Sequence, residues 1–439
     1  MIVSTKQQQI AQLASENPSL VFTSLHHNID YVWMRTAYHK IRKDGAVGVD
    51  GQTAELYERN LEQNLQSLLD RVKSGRYRAP LIRRVYIPKG DGKQRPLGIP
   101  TLEDKIVQRA VVMLLDPIYE QDFYDCSYGF RKRRSAHQAL HNLRNHIMDD
   151  RGQWVLDVDI QKYFDTIDHQ RLREFLARRV VDGIVRKLID KWLKAGVLEA
   201  GKIQYPTQGT PQGGVISPLL ANIYLHYVLD EWFHKVVTPR MIAKCSLTRF
   251  ADDFVMVFEK YDDCYRVERV LNKRFERYGL VLHPDKTRRI DFRFRYRKQN
   301  IQRGKVVNFD FLGFTHFWGK SRRGVFVVRQ KTAKSRLART LKGLNEHCRR
   351  YRHLPLDVQQ VTLNRKLRGH YAYFGISGNG KSLSNLHHKV QRIWHKWLGR
   401  RSRKSYIPWR RFALLLRRLP LEQPRIYHQY CKGHQLAKQ

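Results

Sequence analysis

Two apolar stretches of this chain carry aspartates where a buried strand tolerates them least. Trp154-Val155-Leu156-Asp157-Val158-Asp159-Ile160 reads as a buried strand, and Arg249-Phe250-Ala251-Asp252-Asp253-Phe254-Val255-Met256 as a strand, a turn and a second strand. Adjacent carboxylates in such a frame are costly to desolvate unless a cation compensates them. A pair of hard divalent metal ions about 3.5–4 Å apart meets that need, and such a pair supports phosphoryl transfer by activating a hydroxyl and stabilising the leaving group. Asp159 at one strand end and Asp252 at a neighbouring turn could clamp both ions. An Asp-Asp pair alone is equally at home in a plain β-turn, so the rest of the chain has to decide. Asp157 shares a strand face with Asp159 by the period-two rule and is a weaker candidate.

Charge narrows the choice of partner. The chain has 82 Lys and Arg against 40 Asp and Glu, a net charge of +42. From Lys320 to Gln439 there are 30 Lys and Arg against three acids, Glu346, Asp357 and Glu422, so 27 of the 42 excess charges lie there. A merely solvated face intersperses both signs, whereas this one almost lacks acids and reads as a phosphate-binding surface. No apolar stretch approaches the ~18–20 residues of a spanning helix and no signal peptide opens the chain, so the expectation is a soluble, cytoplasmic, nucleoid-associated protein with no membrane partner. Cys126, Cys245, Cys264, Cys348 and Cys431 stand singly, as in a reducing compartment. Cys431 and His434 make half of a zinc site without a second half, and are read as an ordinary thiol and imidazole.

At 439 residues the length predicts two to four packed units. Residues 5–75 carry helical spacing at Leu56, Leu61, Leu65, Leu68, Leu69 and Val72. Residues 83–88 and 95–100 alternate like strands around a Lys-Gly-Asp-Gly-Lys turn, giving a hairpin with basic residues at its tip. A helix is predicted from Leu102 up to Pro117, a strand over 153–158, a helix capped by Asp168, and a helix from about Ser217 to Phe233. Strands follow around Thr248 to Phe258, then a helix to Tyr278 and short strands at 309–314 and 325–328. Beyond Lys331 the pattern predicts three amphipathic helices that share a core, then a short helix over 409–418.

With these blocks in place, Phe250-Ala251-Asp252-Asp253 resembles the aromatic-x-Asp-Asp box of reverse transcriptases. Lys89 to Pro100 is similar to that family's fingertip segment, Asp159 to His169 to its first catalytic block, and Pro211-Gln212-Gly213-Gly214-Val215-Ile216-Ser217-Pro218 to its template and nucleotide block. His283-Pro284-Asp285-Lys286-Thr287 and Phe311-Leu312-Gly313-Phe314 resemble the two that follow. Leu363 to Gly375 is similar to the maturase, or thumb, domain of group II intron proteins. Any one block is weak; together, in the family's order, they are specific.

The resemblance implies an α+β right-hand polymerase with fingers, a palm built on an antiparallel sheet and a three-helix thumb, preceded by a helical extension. Its divisions would be an extension and start of the fingers over 1–80, fingers and palm over 81–325, thumb over 326–400 and a short basic DNA-binding segment over 401–439. It makes Asp159, Asp252 and Asp253 the catalytic carboxylates, holding two Mg²⁺ ions, or Mn²⁺ in their place, with the Ile160 carbonyl as a further ligand. Lys89, Arg95, Phe164, Gln212 and Lys286 would meet the incoming nucleotide, Phe164 as an aromatic gate against a ribose 2′-hydroxyl. Leu312 and Gly313 would grip the primer. Nucleic acid would bind at Arg365, Lys366 and Arg368 in the thumb and at Arg400, Arg401, Arg403, Lys404, Arg410 and Arg411 beyond it.

The implied activity is RNA-directed DNA synthesis from dNTPs on an RNA template with a DNA or RNA primer. The implied partners are a group II intron RNA, which the protein would help to splice, and target DNA for retrohoming. Two departures stand out: Phe250 replaces the commoner Tyr, and no paired Cys and His follow the thumb, as they do in intron proteins with a metal-dependent endonuclease. The short bacterial type lacks that domain. Two alternatives remain open at this point, a related reverse transcriptase serving phage defence or DNA repair, and an RNA-binding maturase without polymerase activity. Nothing in the sequence fixes the oligomeric state.

Overall fold

The computed structural model describes residues 2–88, 94–148, 151–199, 201–210, 213–293, 307–321, 323–402 and 406–429. Lys89, Gln212, Arg403, Lys404, Cys431 and His434 therefore lie outside the described residues. The chain divides into two compact units, residues 1–139 with 154–290 and residues 140–153 with 291–439. Among the described residues no helix is long and apolar enough to cross a membrane.

The first unit opens with helices α1 (Ile2–Glu16), α2 (Tyr31–Lys40), α3 (Ala54–Glu58) and α4 (Leu61–Lys73), then strands β1 (Ile82–Pro88) and β2 (Gln94–Ile99). β1 and β2 pair antiparallel, with Ile87 opposite Arg95, as the sequence predicts. The long helix α5 (Leu102–Asp122) starts on a Thr101 cap and forms the middle of the core. It buries Ile106, Val107, Ala110, Val111, Leu114 and Leu115, each large aliphatic side chain contributing about 1.5–3 kcal/mol.

The prediction that this helix ends at Pro117 is wrong: it runs through Pro117 to Asp122. Proline removes the N–H that would have bonded the Met113 carbonyl. Gln7 from α1 supplies the missing donor, its Nε2 lying 2.7 Å from Met113 O. The C-terminal end of α1 is met in turn by Arg179, whose guanidinium donates to the carbonyls of Ala14, Asn17, Pro18 and Leu20 and pairs with Asp122 at 2.9 Å.

α6 (Ala136–Met148) precedes strand β3 (Trp154–Asp159) and the helices α7 (Tyr163–Thr166), α8 (His169–Ala177) and α9 (Gly183–Leu193). Asp168 caps α8 as predicted, accepting from Arg171 N at 2.8 Å. A short hairpin, β4 (Val197–Glu199) and β5 (Lys202–Gln204), extends the first sheet, whose order is β2-β1-β4-β5 with β1 and β4 parallel. No periodic signal marked these three-residue strands. Helix α10 (Ser217–Leu225) continues through two wider π-helical turns, His226–Asp230 and Phe233–Val237, past the predicted end at Phe233.

β6 (Cys245–Phe250), β7 (Asp253–Phe258), helix α11 (Tyr261–Glu276) and β8 (Arg288–Asp291) complete a sheet of order β6-β7-β3-β8. Leu156, Val158, Phe254 and Met256 of this sheet are buried in the core, which leaves the strand ends to carry the acids.

In the second unit β9 (Phe309–Phe311), β10 (Phe314–Lys320) and β11 (Phe326–Thr332) form an antiparallel sheet of order β11-β10-β9. Helices α12 (Lys334–Arg350), α13 (Leu356–Phe374) and α14 (Gly380–Leu398) follow, with α15 (Trp409–Arg418) behind them. Leu344, Leu367, Leu386, Val390 and Trp394 make their shared core, as the spacing predicts, with Leu363 beside them; Val361, which the spacing also puts there, is exposed, and Phe412 of α15 is buried in the core. The whole is of mixed helix and sheet, with mainly antiparallel pairing.

Candidate active site

Antiparallel pairing of β3 with β7 puts Asp159 directly opposite Asp253, and pairing of β6 with β7 puts Phe250 opposite the same residue. Ala251 and Asp252 are thus the two central residues of a tight turn, and Ala251 adopts a left-handed φ of 59°. That conformation costs a residue with a Cβ about 1–2 kcal/mol, so something must hold it.

Arg249 does so from one side: its Nη1 donates to Ala251 O at 3.0 Å. The same nitrogen donates to Asn222 Oδ1 at 3.0 Å, and the guanidinium forks onto Asp230 at 2.8 and 2.5 Å. Arg249 and Asp230 are both fully buried. From the other side Gly129 lies so close that a Cβ there would come within 2.3 Å of Ala251 N, and its carbonyl accepts from Asn222 Nδ2 at 2.7 Å. Any larger residue at 129 would displace the turn.

Gly129, Asn222, Asp230 and Arg249 were missed as site residues in the sequence. A signal was present: Asn222, His226 and Asp230 recur every four residues as the polar positions on a mostly apolar helical run, and Arg249 is the one charged residue of its strand. Asp230 closes a π-helical turn, a distortion that recurs at functional sites.

Burial pushes the Asp252 carboxyl above its ordinary value, and the charge of Asp159 pushes it the same way against the pull of Arg95 and Arg249. Asp159 is paired with Lys286, Nζ to Oδ2 at 2.5 Å, while its carbonyl accepts from His283 N at 2.8 Å. The structure therefore brings Asp159, Asp252, Asp253 and Lys286 into one cluster, with Arg95 near enough for its charge to act on Asp252. Ile160 bridges to Leu282 beside them. Asp157 is instead paired with Arg288 of the adjacent strand at 3.0 Å.

Three carboxylates are the hard oxygen donors that a divalent cation such as Mg²⁺ prefers. They fit such an ion in kind, and a cation there would offset both the burial and the neighbouring Asp159 charge that raise Asp252. Among the described residues, though, no three His, Cys, Asp or Glu groups already stand close enough together to hold one.

Phe164 follows the left-handed Lys162 and is buried. Its carbonyl accepts from Thr210 N at 2.7 Å, and Gly209 N donates to Ile167 O, so the 207–210 segment lies on this turn. Gly213, at φ 114°, approaches β2 so closely that a Cβ would sit 2.4 Å from Gly98 O.

In the second unit Leu312 and Gly313 form the left-handed turn between β9 and β10. Tyr373 donates to Leu312 O at 2.9 Å, and Ala333 N to Gly313 O at 2.9 Å. Arg365, Lys366 and Arg368 are exposed on α13, Arg368 lying 3.8 Å from Glu422. Arg400 lies over the Trp397 ring, and Arg410 and Arg411 are exposed on α15 beside the half-exposed Trp409. Arg401 is spent differently, its Nε and Nη2 donating to the carbonyls of Arg352 and Leu354 at 2.6 and 2.8 Å.

Residues 87–316, which span this cluster, match the family described as reverse transcriptase (RNA-dependent DNA polymerase). The chain is 42% identical over 289 residues to protein YkfC of Escherichia coli, covering 58% of this chain and 76% of that one. It is 38% identical over 225 residues to the group II intron-encoded protein LtrA of Lactococcus lactis, covering 50% of this chain and 37% of that one. It is also 26% identical over 204 residues to nuclear intron maturase 4 of Arabidopsis thaliana, covering 46% and 24% respectively.

Proposed function

The chain belongs to the reverse transcriptase (RNA-dependent DNA polymerase) family, and from that premise we propose that it copies an intron RNA into DNA and binds that RNA as a splicing maturase. The observation that carries the first half is the register of Asp159 opposite Asp253 beside a turn that presents Asp252. The names of the group II intron-encoded and maturase relatives support the second half.

In this reading Asp159, Asp252 and Asp253 hold two divalent cations, with the Ile160 carbonyl as a further ligand. When bound, the ions lower the barrier to attack of a primer 3′-hydroxyl and neutralise developing charge. The protein's own contribution is positioning. Arg95, with Lys89, grips the triphosphate of a dNTP through a fork and a point charge. Phe164 closes the space a ribose 2′-hydroxyl would need, and Gln212 packs by the nascent base pair. Lys286, already paired with Asp159, serves the departing pyrophosphate. Leu312 and Gly313 steady the primer.

The matching architecture is a right hand: extension over 1–80, fingers and palm over 81–325, thumb over 326–400 and a DNA-binding segment over 401–439. The exposed cations of α13 and α15 then serve the folded RNA and target DNA through phosphate contacts.

Primer extension on an RNA template with dNTPs and Mg²⁺ tests this, comparing the parent with a folded Asp252→Ala/Asp253→Ala variant. Extension by the parent alone supports the polymerase. No extension by folded parent at any salt concentration overturns it and leaves an RNA-binding protein. Intron secondary structure in the RNA encoded around the gene separates the intron role from service in phage defence or DNA repair.

A further inference from the structure

One buried polar chain in the first unit has no part in the chemistry above. Asp104 and Gln108 lie one helical turn apart on α5 and are each 1% exposed. Gln108 Oε1 accepts from two consecutive backbone amides, Val215 N at 2.7 Å and Ile216 N at 3.2 Å. Its Nε2 donates to Asp104 Oδ2 at 3.0 Å. The other Asp104 oxygen accepts from Trp192 Nε1 at 2.6 Å and from the Tyr77 hydroxyl. Both donors are buried.

The orientation of the Gln108 amide is therefore dictated. A carboxylate can only accept, so Asp104 forces the NH₂ end of Gln108 toward itself and the carbonyl end toward residues 215 and 216. Those amides leave the loop that begins at Gly213, where the backbone presses on Gly98 of β2. A loop whose one end meets β2 and whose other end is bonded to α5 has little freedom to shift.

We infer that Gln108, oriented by Asp104, is a positioning residue that fixes the Gly213–Ile216 loop against β2 and thereby sets the site for the incoming dNTP. The inference rests on the polymerase reading, in which Arg95 on β2 and Gln212, next before the loop in sequence, both meet that nucleotide. Gln108 touches no substrate; it acts through the loop. Buried amides deprived of their acceptor carry a full desolvation cost, which the loop escapes by moving toward water.

Three variants test it by steady-state primer extension with dNTP as the varied substrate. Gln108→Leu removes the acceptor, and Gln108→Glu sets two carboxylates face to face. Each is expected to raise the dNTP KM about tenfold, with a much smaller change in kcat. The double variant Asp104→Asn/Gln108→Glu reverses the direction of the shared hydrogen bond. The introduced asparagine then donates to the introduced glutamate, and its carbonyl still accepts from Trp192 and Tyr77. The glutamate still accepts from both loop amides, at the same net charge. This double variant is expected to recover the parent KM to within about threefold.

Hydrogen exchange at Val215 and Ile216 supplies a readout independent of activity: slow in the parent and the double variant, fast in both single variants. An unchanged KM in Gln108→Leu, or a folded double variant that stays as impaired as Gln108→Glu, overturns the inference. If the parent itself extends no primer, the polymerase reading fails, and the exchange measurement alone decides whether Gln108 holds the loop.

Discussion

The acid-bearing turn of the first unit and the helical bundle of the second solve opposite problems. The turn is assembled from buried charge: Arg249, Asp230 and Asn222 are all shielded from water and all partnered, and they hold a backbone that Ala251 alone would not adopt. The bundle keeps its charge outside. Its interior is mainly Leu, Val, Trp and Phe with Cys348 and Tyr371 and, among the described residues, no Lys, Arg, Asp or Glu, and Arg365, Lys366, Arg368, Arg410 and Arg411 face solvent. A turn that must present carboxylates to within tenths of an ångström needs directional bonds, which apolar packing cannot supply. A surface that meets a polyanion needs charge density and little else.

Breaking the buried pair gives the largest effect. Arg249→Met strands the Asp230 charge and is expected to cost about 3–5 kcal/mol in urea unfolding, with extension falling to background. Arg249→Met/Asp230→Leu should regain most of that stability and none of the activity; regained activity would show that the turn does not depend on the pair.

On the other side, Arg365→Gln/Lys366→Gln/Arg368→Gln should leave stability within about 0.5 kcal/mol. RNA affinity should fall, and the slope of log affinity against log salt should shrink by about 2. An unchanged slope would remove α13 from the proposed interface.

A gentler probe of the buried class is Asp104. Burial raises its carboxyl to about 6, against the pull of the Tyr77, Trp192 and Gln108 hydrogen bonds. The folded state thus holds this proton more tightly than the unfolded chain, so its contribution to stability is full below the ordinary value of 3.8 and declines as pH rises toward about 6. Asp104→Asn should flatten that part of a stability profile measured by urea midpoints. The smallest change is expected from Phe250→Tyr, which adds a hydroxyl at the edge of the turn and should alter kcat by less than about threefold.

The same contrast explains what could be read from the sequence. The bundle was legible because its core repeats every three or four residues, and Leu344, Leu367, Leu386 and Val390 fell where that period put them. The strands of Asp159 and Asp253 were legible because long apolar runs framed them. The buried pair was not, since no local pattern links residue 230 to residue 249 or residue 108 to residue 215. Such partners are set by tertiary distance, and a single sequence does not encode that distance in any period. The end of α5 was misjudged for a related reason: the donor that makes Pro117 tolerable comes from Gln7.

That donor has a consequence in time. α1 ends at Glu16, yet the groups that bond to it include Met113 and Arg179. At about 5–20 residues per second on a ribosome, its last partner is made roughly 10–30 seconds later. During that wait α1 is too short to be a stable helix in isolation. Closing so long a loop is costly, so the C-terminal end of α1 is capped only once Arg179, just beyond α8, has been made. Within this unit, an earlier-made helix end thus waits for a later-made arginine.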